Sequence, residues 1–253
     1  MAIELNQLVS YCDELLQSSK ISDYCPNGLQ VEGRPRVRRL LCGVTACQAL
    51  LDEAVAWQAD LILVHHGYFW KGEDSRIRGI KKRRLATLLQ QDIGLLAYHL
   101  PLDVHPLYGN NVQLAARLGL EIDGTLEPDN PRSVGLVGHL KEPLTLAQFA
   151  ARVAAVLGRE PVCIEGGEQP IRRLGWCTGA AQGYIEQAAE LGLDAYLSGE
   201  ISEPTVHSAR EHGVHYIAAG HHATERYGVQ ALGEHLADRF GLEWRFADMN
   251  NPV

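Results

Sequence analysis

Short apolar runs recur along this chain, and between them apolar residues return every three or four positions. The runs read as buried strands and the periodic stretches as amphipathic helices. Their alternation predicts an α/β fold with a largely parallel sheet. Ile3, Leu5, Leu8, Val9, Cys12, Leu15 and Leu16 lie at helical spacing with acids between them, so the first element is an amphipathic helix. Leu40 to Val44 reads as a strand. Thr45, with Gln48 three residues on, predicts a capping box for a helix from Ala46 to Ala59. Strands are expected at Leu61 to Val64 and at Ile93 to Tyr98, with a basic helix between them. "LEPDNP", residues 126 to 131, has two prolines and turn residues and sets a boundary between lobes 1–128 and 129–253. Beyond it come a strand at Val134 to Leu140, a helix from Thr145 with a second capping box at Gln148, and a strand at Pro161 to Glu165.

The second half echoes the first. "LCGVTACQALLDEAVAWQADLILVHHG" can be laid on "LGWCTGAAQGYIEQAAELGLDAYLSGE" as strand, turn, helix, Asp, strand, with Asp60 on Asp194 and Ala54 on Ala188 at a common offset of 134. "LLAYHLPLD" likewise resembles "YIAAGHHATE". There His99 precedes Asp103 and His221 precedes Glu225 by four residues, the histidines being 122 apart. Two echoes in the same order point to duplication of one α/β unit.

Composition narrows what such a fold does. No run approaches the roughly 20 apolar residues that span a bilayer, so no membrane is expected. The first residues lack the basic start and unbroken apolar stretch of a signal peptide. Cys12, Cys25, Cys42, Cys47, Cys163 and Cys177 include no C-x-x-C pair and sit in apolar segments, the pattern of reduced core residues in a cytoplasmic protein. A net charge of −8 argues against a nucleic-acid-coating role. One stretch runs against that charge. "RIRGIKKRR", with Arg76, Arg78, Lys81, Lys82, Arg83 and Arg84, reads either as a solvated helix face or as a landing site for phosphates.

Three predicted strands end in metal-ligating residue types: Val64 runs into His65 and His66, Tyr98 into His99 and Asp103, and Gly220 into His221, His222 and Glu225. Ligands of open α/β sheets gather beyond the carboxyl ends of the strands, so these ends can serve one pocket. Neighbouring side chains on an extended segment point to opposite sides. His65 and His66 are therefore awkward partners for one ion, but at a strand end each can reach a different one. Asp103 and Glu225 are available to bridge two ions about 3.5–4 Å apart. Five side chains on two ions leave positions open, which favours catalysis by an acidified water over a closed structural site.

"PNGLQVEG", "HHGYFWKG", "YHLPLDVHPLYGNN", "YLSGE" and "GHHATERYG", in this order, closely resemble the GTP cyclohydrolase I type 2 homologue family, the Nif-three-like dinuclear metal proteins, in its short bacterial form. The resemblance implies a duplicated three-layer α/β/α unit with two interlocked lobes, the last segment (about 218–253) returning His221 and Glu225 to a shared metal site. It implies ligands at His65, His66, Asp103, His221 and Glu225, with Glu225 bridging, His65 and His221 on one ion, and His66 and Asp103 on the other. His99, His105 and His222 are not carried over as ligands and become pocket or supporting residues, as does Glu200, which falls on His66 in the repeat. The implied cofactors are two divalent ions per subunit (zinc, iron, manganese or magnesium), and the implied assembly is a toroidal homohexamer. The implied activity is a hydrolase acting on a nucleotide or other phosphorylated small molecule, as in the opening of the guanine imidazole ring of GTP. The alternative is a hexameric metal-binding protein without turnover that interacts with nucleic acid or a protein partner.

Overall fold

Side chains alternate along the strand Leu61–His66, and that alternation builds two cores. Leu61 and Leu63 join Leu40, Cys42 and Leu96 on one face, against Leu5, Leu8, Cys12 and Leu16 of the first helix and Leu232 and Leu236 of the helix Arg226–Phe240. Ile62 and Val64 join Leu41, Leu95 and Ala97 on the other, against Leu50, Leu51, Ala54, Leu85 and Leu88 of the helices Gln48–Trp57 and Gly79–Gln91. A sheet covered on both faces must be apolar on both, which is why its strands read as unbroken runs. Each fully buried Leu or Ile contributes about 1.5–3 kcal/mol.

The computed structural model describes residues 2–130 and 133–253. Pro131, the last residue of the predicted boundary motif, lies outside the described residues. The chain divides into two compact units, Met1–Tyr108 with Gly228–Asn250, and Gly109–Tyr227 with Asn251–Val253. In the first, Arg39–Thr45, Leu61–His66 and Gly94–Ala97 run parallel, Leu40 opposite Leu61 and Leu61 opposite Gly94. Glu243–Phe246 adds a parallel strand beside Arg39–Thr45, and Gly28–Val31 an antiparallel one beside Gly94–Ala97. In the second, Ile171–Cys177, Ala195–Ser198 and His215–Ala218 are parallel, again with an antiparallel edge strand, Val162–Ile164. Leu136–Leu144 and Leu120–Thr125 extend the other side. This unit is also three-layered. Leu174, Trp176 and Leu197 pack on Leu114, Phe149 and Val153, while Tyr196 and Tyr216 pack on Ile185, Ala188 and Ala209.

The duplication is visible in hydrogen bonds as well as topology. Asp60 Oδ2 accepts from the backbone N–H groups of Arg38 and Arg39, both at 2.8 Å. Asp194 Oδ2 accepts from those of Arg172 and Arg173, at 2.9 and 2.8 Å. Each aspartate thus pins the start of its parallel sheet in the same way. The third parallel strands, however, begin at Gly94 and His215, which are 121 residues apart, so His99 falls on Gly220 and the sequence match of His99 with His221 is one residue out of register.

Two local expectations change. Ile3 leaves the first helix, which spans Leu5–Leu16, because Ile3 and Glu4 pair antiparallel with Val37 and Arg36. The capping box at Thr145 forms, its side chain accepting from Gln148 N while Gln148 returns a contact to Thr145 N. The one at Thr45 does not. Its helix starts at Gln48 after Cys47, with no side-chain cap, and the Thr45 hydroxyl serves a histidine instead. Among the described residues no helix is long and apolar enough to cross a membrane, and all six cysteines are free thiols.

Candidate metal centre

In the first unit the donors gather where strands end. His65 is fully buried near the end of the strand Leu61–His66, and its Nδ1 lies 3.0 Å from the carbonyl oxygen of Tyr98. A carbonyl only accepts, so that nitrogen carries the proton, and in the neutral ring Nε2 presents a lone pair. Nε2 faces Asp103 Oδ1 at 3.5 Å. Two acceptors turned toward each other in a buried site are what a cation requires and what a metal-free protein must bridge with a proton. His66 Nδ1 in turn lies 3.1 Å from Thr45 Oγ1. The two rings do not diverge as alternation along an extended strand predicts. His66 closes the strand, and the ring centroids are 4.6 Å apart with a tilt of 46°.

His99 joins them. Its ring centroid lies 4.9 Å from that of His65, and the ring nitrogens of His65, His66 and His99 include one from each residue within 4.8 Å of the others. Asp23 Oδ1 accepts a hydrogen bond from His99 Nδ1 at 3.0 Å, and Asn27 Oδ1 accepts from the His99 backbone N–H at 2.7 Å. Burial alone would raise the Asp23 carboxyl. Hydrogen bonds from His99, Asn27 and Leu100 outweigh burial and hold the group well below the usual carboxylate range. Cys25 completes a second trio with Asp23 and His99, but burial, reinforced by Asp23, pushes its thiol up to about 12, so it offers no ready thiolate.

The second unit carries its own donors. His221 opens the helical turn His221–Thr224, and Glu225, 3% exposed, follows it. His221 Nδ1 donates to Glu200 Oε1 at 2.7 Å, and Nε2 lies 3.1 Å from Glu225 Oε2. A carboxylate on one imidazole nitrogen is the arrangement that orients metal-binding histidines, and here the other nitrogen faces a second carboxylate. Burial would lower the His221 pKa, yet Glu225 and Glu200 together push it up to about 9 in the metal-free protein. Gly179 makes room for this pair. A Cβ built there would overlap Glu225 Oε1 and lie 3.3 Å from His221 Nε2, and its φ of +70° favours glycine as well.

The remaining sequence candidates fall elsewhere. His105 Nδ1 accepts from the N–H groups of Leu107 and Tyr108, its ring stacks on Tyr108, and burial pushes its pKa down. Neither His105 nor His222 joins a converging trio of donors among the described residues. In the basic stretch, Arg76 and Arg78 both grip Asp74, and Lys81 lies 3.2 Å from Glu73, so these charges are answered locally.

The fold and site define a duplicated, doubly covered α/β protein whose His, Asp and Glu clusters could hold a metal ion. The family model for Duf34/NIF3 (NGG1p interacting factor 3) matches residues 3–252, and the chain belongs to that family. A relative from Pseudomonas aeruginosa named GTP cyclohydrolase 1 type 2 homolog is 64% identical, covering 100% of both chains. Among solved structures, the protein ybgI, of unknown function, is 50% identical with a TM-score of 0.96, covering 99% of this chain and 100% of its own. TTHA1606 from Thermus thermophilus is 36% identical with a TM-score of 0.89, again over 99% and 100%.

Proposed function

We propose that His65, His66, Asp103, His221 and Glu225 form a dinuclear divalent-metal centre in a cytoplasmic, homohexameric hydrolase acting on a nucleotide or other phosphorylated small molecule. The observation that carries this reading is the His65–Asp103 pair, a lone pair and a carboxylate oxygen facing each other at 3.5 Å in a buried site. Zinc, iron, manganese and magnesium all suit mixed imidazole and carboxylate donors to differing degrees. When bound, the ions supply Lewis-acid charge that polarises the substrate and acidifies water. The chain's own residues set the stage for it. The Tyr98 carbonyl and Glu200 fix the tautomers of His65 and His221 so that Nε2 is the donor, and Thr45 orients His66. Asp103 and Glu225 bring negative charge that offsets part of the metal charge, and burial keeps competing water from these carboxylates.

Elemental analysis of protein purified with and without metal supplementation tests the centre directly. About two divalent ions per chain are expected, dropping in Asp103→Ala and Glu225→Ala while both variants stay folded. A stoichiometry of zero or one after reloading overturns it. A panel of nucleotides and phosphoesters then tests turnover, and no product from any member overturns the hydrolase reading.

A further inference from the structure

Between the histidines and the basic helix runs a short loop that no catalytic role uses. Phe69 adopts a φ of +66°, a left-handed conformation costly for an aromatic residue. The strain is held in place from several sides. Tyr68 N donates to Gln30 Oε1, and the Tyr68 hydroxyl donates to the Ala46 carbonyl. Lys81 sits 5.1 Å over the Phe69 ring while pairing with Glu73, and Glu73 accepts from Trp70 N. Part of the basic stretch therefore serves to anchor this loop.

The braced loop displays Trp70. Its ring meets His99 edge-on at 5.2 Å and lies 5.9 Å from His66. Tyr24 comes alongside at 5.7 Å, because Lys71 N donates to the Tyr24 carbonyl and Tyr24 N donates to Asp23 Oδ1. Tyr24 also packs edge-on to His99 at 5.0 Å, yet it remains 52% exposed. A fold with a full core has no packing need for an exposed tyrosine beside a half-buried tryptophan. Two π faces held next to metal-donor histidines by a strained backbone form a platform for a flat ring.

We propose that Tyr24 and Trp70 form a stacking subsite that takes the planar heteroaromatic ring of a nucleobase and presents it beside His66 and His99. The proposal rests on the nucleotide reading of the metal centre and names the part of the substrate that the loop recognises. Stacking reads the π face and is tolerant of base identity, so the subsite selects for a ring, with discrimination between bases left to other groups.

The test uses the full-length, metal-loaded protein with two probes, GMP and ribose 5-phosphate, which share the sugar phosphate but not the ring. Binding is measured by calorimetry, with metal content determined for every variant. Trp70→Ala should raise the Kd for GMP roughly 5- to 150-fold, Trp70→Phe should recover most of the loss, and ribose 5-phosphate should bind all three proteins alike. Tyr24→Ala, at an exposed position, repeats the test if Trp70→Ala loses metal or fold. Unchanged GMP binding in both alanine variants overturns the proposal. So does an equal loss for ribose 5-phosphate, which would mark the rings as mere cover for the histidines. Ring-dependent binding without turnover of any substrate would sink the hydrolase and leave the subsite standing, so the two failures are distinguishable.

Discussion

Gly179→Ala separates backbone strain from loss of a metal donor. The residue holds φ at +70°, where a Cβ costs about 1 kcal/mol. The new methyl would also overlap Glu225 Oε1, which must retreat by on the order of 1 Å to reach ordinary contact. That oxygen ends a side chain, so it can give way at little further cost to folding, but its retreat moves the carboxylate whose other oxygen, Oε2, faces His221 Nε2 at 3.1 Å. Gly192 provides the control, with φ at +63° and nothing within 4 Å of its own Cβ. Gly179→Ala and Gly192→Ala should lose similar stability, about 1 kcal/mol or roughly 2–4 °C in Tm for a chain of this size. Only Gly179→Ala should lose metal affinity, by at least the 10–100-fold typical of a misplaced supporting group. Differential scanning calorimetry of the metal-free proteins and metal titration of both variants decide the matter. If Gly179→Ala binds two ions as tightly as the parent, the role assigned to Glu225 is wrong.

Thr45→Val should weaken metal binding about 10–100-fold through His66 while leaving the helix Gln48–Trp57 intact by circular dichroism, because Thr45 does not cap it. Thr145→Ala, which removes a cap that does form, should cost about 1 kcal/mol in urea unfolding and leave metal binding alone. Asp23 is nearly inaccessible and its carboxyl is held low in the folded state, so it contributes stability above about pH 4 that is lost as pH falls through the lower folded value. Asp23→Asn should therefore destabilise the protein by about 1–3 kcal/mol at pH 7 and by much less at pH 2. An equal loss at both pH values, measured by urea titration, would contradict this origin.

The strands and the repeat were legible because burial on both faces writes itself into local composition, as in Leu61 to Val64, and Thr145 was legible because its partner is three residues away. Thr45 carries the same spacing and was misleading. Its hydroxyl goes to His66 across the neighbouring strand, a competition that no local window contains. The donor residues are legible from the strand ends, but the closeness of the His65 and His66 rings is not, and the approach of His99 depends on Asp23 and Asn27, more than seventy residues earlier. The pairing of Tyr24 with Trp70 was hidden for a similar reason, since a single backbone bond from Lys71 joins two loops that look unrelated in sequence.

The discontinuity of the first unit bears on how the chain folds during synthesis. Arg39–Thr45 needs Glu243–Phe246 as its outer neighbour, and the core face holding Leu40 and Leu61 needs Leu232 and Leu236 to cover it. At roughly 5–20 residues per second, those partners leave the ribosome on the order of ten to forty seconds after the strand they protect. Through that interval an apolar strand presents an unpaired edge, the condition under which nascent chains join one another. The intervening residues Gly109–Tyr227 contain nearly all of the second unit and fill most of that interval. The first unit thus waits open while almost all of the second is made, and chaperone demand should fall on the residues made first.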